Sequence, residues 1–205
     1  MGEMWSPEGT AFVANEAQAK KFEAFILAQE GVESVTGYIG TGSPRFYLPL
    51  DQIFPQTNVS QFVVLPNDLQ ARAALRLKIT AAFKNDFPEE RGRVKLLHNG
   101  PPVPYPVQFR VTGTEVGAVR AIADQVKAIM NTNPNAIGVN DNWNESIKVL
   151  RIDLDQEKLR ALGVSSQTVM RAANTILTGT TVGQYREENK LIDIVVRQPV
   201  HERST

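Results

Sequence analysis

Asp153, Asp155 and Glu157 stand at every second position in the stretch "IKVLRIDLDQEKLRALGVSSQTV", Ile147 to Val169. Carboxylates so close together are what a metal site or an acid–base pair requires. The flanking residues give a different account. Asp155 is placed to cap a short helix by accepting from the amides of its first turn, and Glu157 falls near the positive end of that helix's dipole. Gly163 suits the left-handed residue that ends "KLRALG", Ser165 or Ser166 caps the next helix "QTVMRAANTILTG", and Gly179 closes it. A calcium loop needs a longer oxygen set and a glycine turn. The triplet reads as capping on a solvated strand face.

Other chemistry is equally thin. His98 and His201 lie far apart, there is no cysteine, and no G-x-S-x-G elbow presents a serine nucleophile. The glycines of "YIGTGSP" precede neither a helix start nor a P-loop lysine. Met1, Met4, Met130 and Met170 lack the spacing of a soft-metal site, and the last two suit a core. The chain is therefore expected to be no enzyme and to hold neither cofactor nor structural metal. Tyr38, Phe46 and Tyr47 cluster in a glycine/proline loop, with Phe54 further along it. They either pack over the ends of a sheet or offer a pliable apolar surface to a ligand at an inter-domain groove.

Composition sets the frame for these residues. A chain of 205 residues suits one large or two small domains, and 42% hydrophobic with 21% charged residues can bury a core. Lys plus Arg (22) balance Asp plus Glu (22), which leaves no electrostatic footprint for nucleic acid or anionic lipid. No apolar run is long enough to span a bilayer, and the start lacks a signal peptide. A role outside the cytoplasm would make this chain a piece of something larger.

The order of elements follows from periodicity. "GEMWSPEGT" reads as a strand end and turn. A helix follows, with Asn15 as a possible cap, Phe22, Phe25 and Ile26 near helical spacing, and Gly31 as its stop. "VESVTGYIG" and "VSQFVVLP" read as strands, separated by a connection whose three prolines exclude a regular strand. "NDLQARAALRLKITAAFKNDF" opens with capping residues and predicts a helix with Leu69, Ala73, Leu77 and Ala81 on one face, before the strand "GRVKLLHN". Residues 1–99 thus run β-α-β-β-α-β, the split βαβ or ferredoxin-like order. In "GPPVPYP", residues 100–106, four of seven residues are proline, a stiff joint suited to a domain boundary. The order then restarts. "VQFRVTG" predicts a strand, "EVGAVRAIADQVKAIMN" a helix with Val119, Ile122, Val126 and Ile129 in a stripe, and "AIGVND" and "SIKVLRIDL" two further strands. A hairpin is expected from strands near Thr181–Tyr185 and Leu191–Arg197 with a turn at "REENK". No strand closes the second copy, which suggests a fragment. The fold class is α+β: two consecutive ferredoxin-like subdomains, the second lacking its last strand, plus a C-terminal hairpin.

"RIDLDQEKLRALGVSSQTVMRAANTILTG" resembles a segment of the resistance-nodulation-division (RND) multidrug efflux transporters, most closely their hydrophobe/amphiphile efflux branch. "VESVTGYIG", the joint into "PVQFRVTG" and the hairpin "TVGQYREENKLIDIVVRQP" agree with it. The resemblance covers essentially the whole chain. It implies the first two-thirds of the second periplasmic loop of such a pump: residues 1–101 a first porter subdomain, 102–179 a second and incomplete one, and 180–205 the start of a docking insertion. It further implies a homotrimeric, proton-driven inner-membrane pump whose periplasmic part binds drugs and other amphiphilic small molecules, working with a periplasmic adaptor and an outer-membrane channel. Its cleft residues map to Tyr38, Ile39 and Thr41, Phe46 on the loop extension, and the strand positions Val107, Phe109 and Val111. A stand-alone small-molecule sensor of tandem ferredoxin-like domains is the alternative, and an intact closing strand in the second unit would favour it. A hydrolase on this fold would need a positioned base or an anion-binding arginine in a glycine loop. Fold alone does not choose among these.

Overall fold

The computed structural model describes residues 1–97, 99–100 and 105–203; His98 and Pro101–Pro104 of the proline joint lie outside the described residues. The elements are β1 Gly2–Trp5, α1 Phe12–Leu27, β2 Val32–Ile39, β3 Val59–Pro66, α2 Leu69–Asn85, β4 Arg91–Val94, α3 Val116–Asn131, α4 Gln156–Ala161, α5 Ser166–Leu177, β5 Thr180–Glu187, β6 Lys190–Val196 and α6 Val200–Arg203. They fall into two compact units, Met1–Lys148 and Val149–Thr205.

The first unit is built on an antiparallel sheet of order β2-β3-β1-β4, the arrangement of a split βαβ fold. Alternation along β1 assigns its faces. Met4 points toward the helices and joins Phe62, Phe22, Ile26, Ala19, Leu75, Ile79 and Phe83 in the core. Phe22 is central, with its ring 5.0 Å from Phe62 and 4.6 Å from Phe83. Tilted and edge-on contacts of this kind are the favoured arrangements of aromatic pairs. Gly92, paired with Met4, admits the Phe83 ring directly onto the sheet; an added Cβ would stand 1.9 Å from Phe83 Cγ.

Two local expectations are corrected. Asn15 is not a cap: α1 begins earlier, after Ala11, and Asn15 is fully buried. Its amide donates to the carbonyls of Thr57 and Val59, each at 2.9 Å, and its Oδ1 accepts from Ser60 at 3.1 Å. The stripe Leu69, Ala73, Leu77 and Ala81 is the outer face of α2, whose buried residues are Leu75, Ile79, Ala82 and Phe83. An i,i+4 stripe rich in alanine gains little from burial, and the larger stripe Leu75, Ile79 and Phe83 takes the core face instead. Asp68 caps α2 as expected, accepting from Ala71 N at 2.7 Å.

From residue 105 on, helices form where expected and the second sheet does not. The segments "VQFRVTG", "AIGVND" and "SIKVLRIDL" carry no strand ladder. In the split βαβ order the first strand is central and needs the fourth beside it; none of the described residues provides one. An unpaired central strand loses half its ladder, and Val107 and Phe109 stay exposed. Of the expected stripe on α3, only Val119 is buried. Within the first unit the turn at Asn144 makes polar ties instead: Arg91 donates to its Oδ1 at 2.9 Å, and its own amide donates to Glu8 Oε1 at 2.8 Å.

In the second unit, Asp155 accepts from the amides of Glu157 and Lys158 at the start of α4, and Ser165 accepts from Thr168 N at the start of α5. Gly163 and Gly179 hold the left-handed angles expected of them, φ 66 and 96. The hairpin forms with Glu187 opposite Lys190, so its turn is Glu188–Asn189.

Gly92→Ala should lower the stability of the first unit by about 3 kcal/mol, the scale of severe overpacking, as read from the urea midpoint. Burial pushes the Glu90 carboxyl above its ordinary value of 4.5, the Ser6 hydroxyl offsets part of this, and Glu89 adds to it. A raised folded-state pKa means stability that is full below the unfolded value and lost as pH rises. Glu90→Gln should therefore raise Tm at pH 7, with the gain vanishing as pH falls below 4.5.

Candidate functional site

The face of the first sheet opposite the helices is polar. Register places Tyr38, Gln61, Glu3 and Arg93 side by side across all four strands. Glu3 is fully buried and Gln61 nearly so. Arg93 contacts Glu3 Oε2 through Nε at 2.6 Å, and Lys95 Nζ lies 2.6 Å from Oε1. Gln61 Nε2 donates to the same Oε1 at 3.1 Å. One row along, Trp5 lies under the Arg91 and Arg93 guanidiniums, at 4.9 and 5.6 Å, and Tyr105 also stacks on Arg93 at 5.2 Å. Buried charge is tolerable only with such pairing and hydrogen bonding.

The connection from Gly40 to Asn58 folds against this face as a compact loop with a narrow neck. Gln56 N donates to Gly40 O, and Gly42 N to Ile53 O, both at 3.1 Å. Both glycines are required there. Gly40 has φ +74, and a Cβ on Gly42 would lie 2.8 Å from Ile53 O. The base is pinned by Gln61, whose Oε1 accepts from Ser43 N at 2.6 Å. Leu50 is buried, whereas Phe46, Leu48 and Phe54 at the tip and outer limb are exposed.

An open cavity of about 360 Å³ lies beside the neck. Tyr38 and Thr41 line it with Gln52, Ile53 and Phe54. Phe46 is outside it, its ring 5.6 Å from Tyr47. Ile39 points the other way, because neighbours on a strand alternate, and packs against the core. Val107, Phe109 and Val111 sit in the extended segment after the joint and do not line the cavity. The structure thus brings together two of the seven expected cleft residues and adds Gln52, Ile53 and Phe54.

Gln61, Glu3, Arg93 and Lys95 were not expected at a site. A signal for them was present. Arg91, Arg93 and Lys95 alternate along β4 and its continuation, a basic face that needs an acid, and β1 carries a single one, Glu3. His201 is exposed beside Glu202 on α6. Among the described residues no group of three His, Cys, Asp or Glu is placed to hold a metal ion, and no helix is long and apolar enough to cross a membrane.

Known proteins share this fold. Two crystal forms of a heavy metal efflux pump superpose on the chain with TM-scores of 0.71 and 0.70 at 17% identity, covering 100% and 96% of it and 22% and 21% of the pump. At that identity the likeness shows the fold. A curated relative, the putative cation efflux system protein SilA of Salmonella typhimurium, is 25% identical over 118 residues, 58% of this chain and 11% of that protein. The chain therefore spans a minor part of the proteins it matches, and these are described as cation and heavy-metal pumps rather than pumps for amphiphiles. Matched along its whole length, residues 1–205, the chain belongs to the AcrB/AcrD/AcrF family.

Proposed function

We propose that this chain is the periplasmic, substrate-handling portion of an RND efflux pump of the bacterial inner membrane, a binder and translocator rather than an enzyme. The observation that carries the reading is the family match over residues 1–205, supported by a split βαβ unit that holds a cavity on its polar face. On this reading residues 1–101 are a first porter subdomain, 102–179 a second, and the hairpin from 180 starts a docking insertion. The complete pump is a homotrimer driven by proton entry that passes cargo to an adaptor and an outer-membrane channel.

Two cargo classes compete. A heavy-metal cation is favoured by the relatives, which are cation and heavy-metal pumps. An amphiphilic organic molecule is favoured by the cavity itself, whose lining of Tyr38, Ile53 and Phe54 offers apolar area with few directed hydrogen bonds.

The pump that carries this chain should be expressed in an efflux-deficient bacterium challenged with silver(I), zinc(II), ethidium and an anionic detergent. For an amphiphile exporter, Phe54→Ala and Tyr38→Ala lower tolerance to ethidium or detergent several-fold at equal expression. Protection against the metal ions alone, unaffected by either substitution, assigns the cation class and removes the cavity from the cargo path. Protection against none of the four would sink the exporter reading.

A further inference from the structure

The relay running from the ion pairs on β4 to the neck of the loop has no part in the activity described so far. Glu3 is held from one side by Arg93 and Lys95. From the other side it accepts from Gln61 Nε2 at 3.1 Å, which fixes the orientation of that amide. With Nε2 committed to a carboxylate, Gln61 Oε1 is left to accept, and it takes the amide of Ser43 at 2.6 Å. All three residues are buried, at 0% for Glu3, 1% for Gln61 and 5% for Ser43, so water cannot replace a lost partner. Ser43 follows Gly42, whose amide closes the neck, and both line the cavity. Tyr38, the cavity residue on β2, is the register partner of Gln61.

We propose that Gln61 is the positioning residue of the loop cavity: it transmits the fixed geometry of the buried Glu3 ion pairs to the Ser43 amide and so sets the position of the neck. The assignment rests on the reading of the cavity as a cargo site only where export is concerned; the relay itself stands on geometry. Directionality comes from charge. An ionised Glu3 accepts and cannot donate, so the Gln61 amide has one orientation, and only that orientation presents an acceptor to Ser43. In Gln61→Leu the Ser43 amide loses its acceptor. In Gln61→Glu two carboxylates face each other and repel.

The test is hydrogen exchange on the 205-residue chain, followed by mass spectrometry, with Tm measured in parallel. Gln61→Leu and Gln61→Glu should speed exchange in segments 41–43 and 53–56 by roughly tenfold while peptides from α1 and β3 keep their protection. Uniform loosening of the whole sheet or unchanged loop exchange would each overturn the relay. In the full pump, Gln61→Glu should weaken ethidium export. Fast loop exchange with ethidium export intact keeps the relay and removes the cavity from the export path, so the two proposals fail separately.

Discussion

The first unit depends on the burial of Glu3 between β3 and β4. A carboxylate without solvent is expensive, and removing one partner of such a cluster ordinarily costs about 3–5 kcal/mol. Here Arg93, Lys95 and Gln61 together satisfy it. The consequence is register. In β1 the residues alternate Gly2, Glu3, Met4, Trp5, so a slip of one position would drive Glu3 into the cluster around Phe22 and bring Met4 against the arginines. The ion pairs add little net stability over an apolar filling. Their effect is to make every other alignment of β1 much worse.

The same alternation gives the sheet two different jobs. Its helix side is closed by aromatic packing around Phe22, with Gly92 admitting Phe83. Its other side keeps cations and aromatics stacked on one another: Arg91 over Trp5, and Arg93 between Trp5 and Tyr105. Each stack fixes a long side chain that would otherwise sample many rotamers. A polar face made rigid in this way can bear a loop whose own hydrogen bonds are few.

Most of the first unit is legible in the sequence because its signals are local. The strand over 59–66, the cap at Asp68 and the stops near Gly31 need only neighbours in the chain. Asn15 misleads for the same reason: an asparagine near a helix start looks like a cap, and its real partners, Thr57 and Val59, are more than forty residues away. The strands expected between residues 107 and 154 have the right alternation and still form no sheet, since a ladder needs a partner that no local pattern supplies. At the site, Tyr38 and Thr41 are reached through the glycine/proline loop. Gln61 stays hidden because a lone glutamine in a strand has no signature until register sets it against Glu3.

The braced neck changes what adaptability can mean here. A glycine- and proline-rich loop with exposed aromatics reads as loose throughout, yet its base is fixed at Gly40, Gly42 and Ser43 by four buried or backbone hydrogen bonds. Beyond the neck Phe46 and Leu48 are exposed. Phe54 stands between the two hydrogen bonds of the neck, at Ile53 and Gln56. The cavity is therefore walled on both sides by braced backbone, the strand through Tyr38 and the neck through Ile53 and Phe54. A wall held in place before a ligand arrives lowers the entropy cost of binding it. The buried ion pairs, which do not themselves line the cavity, are part of what braces it.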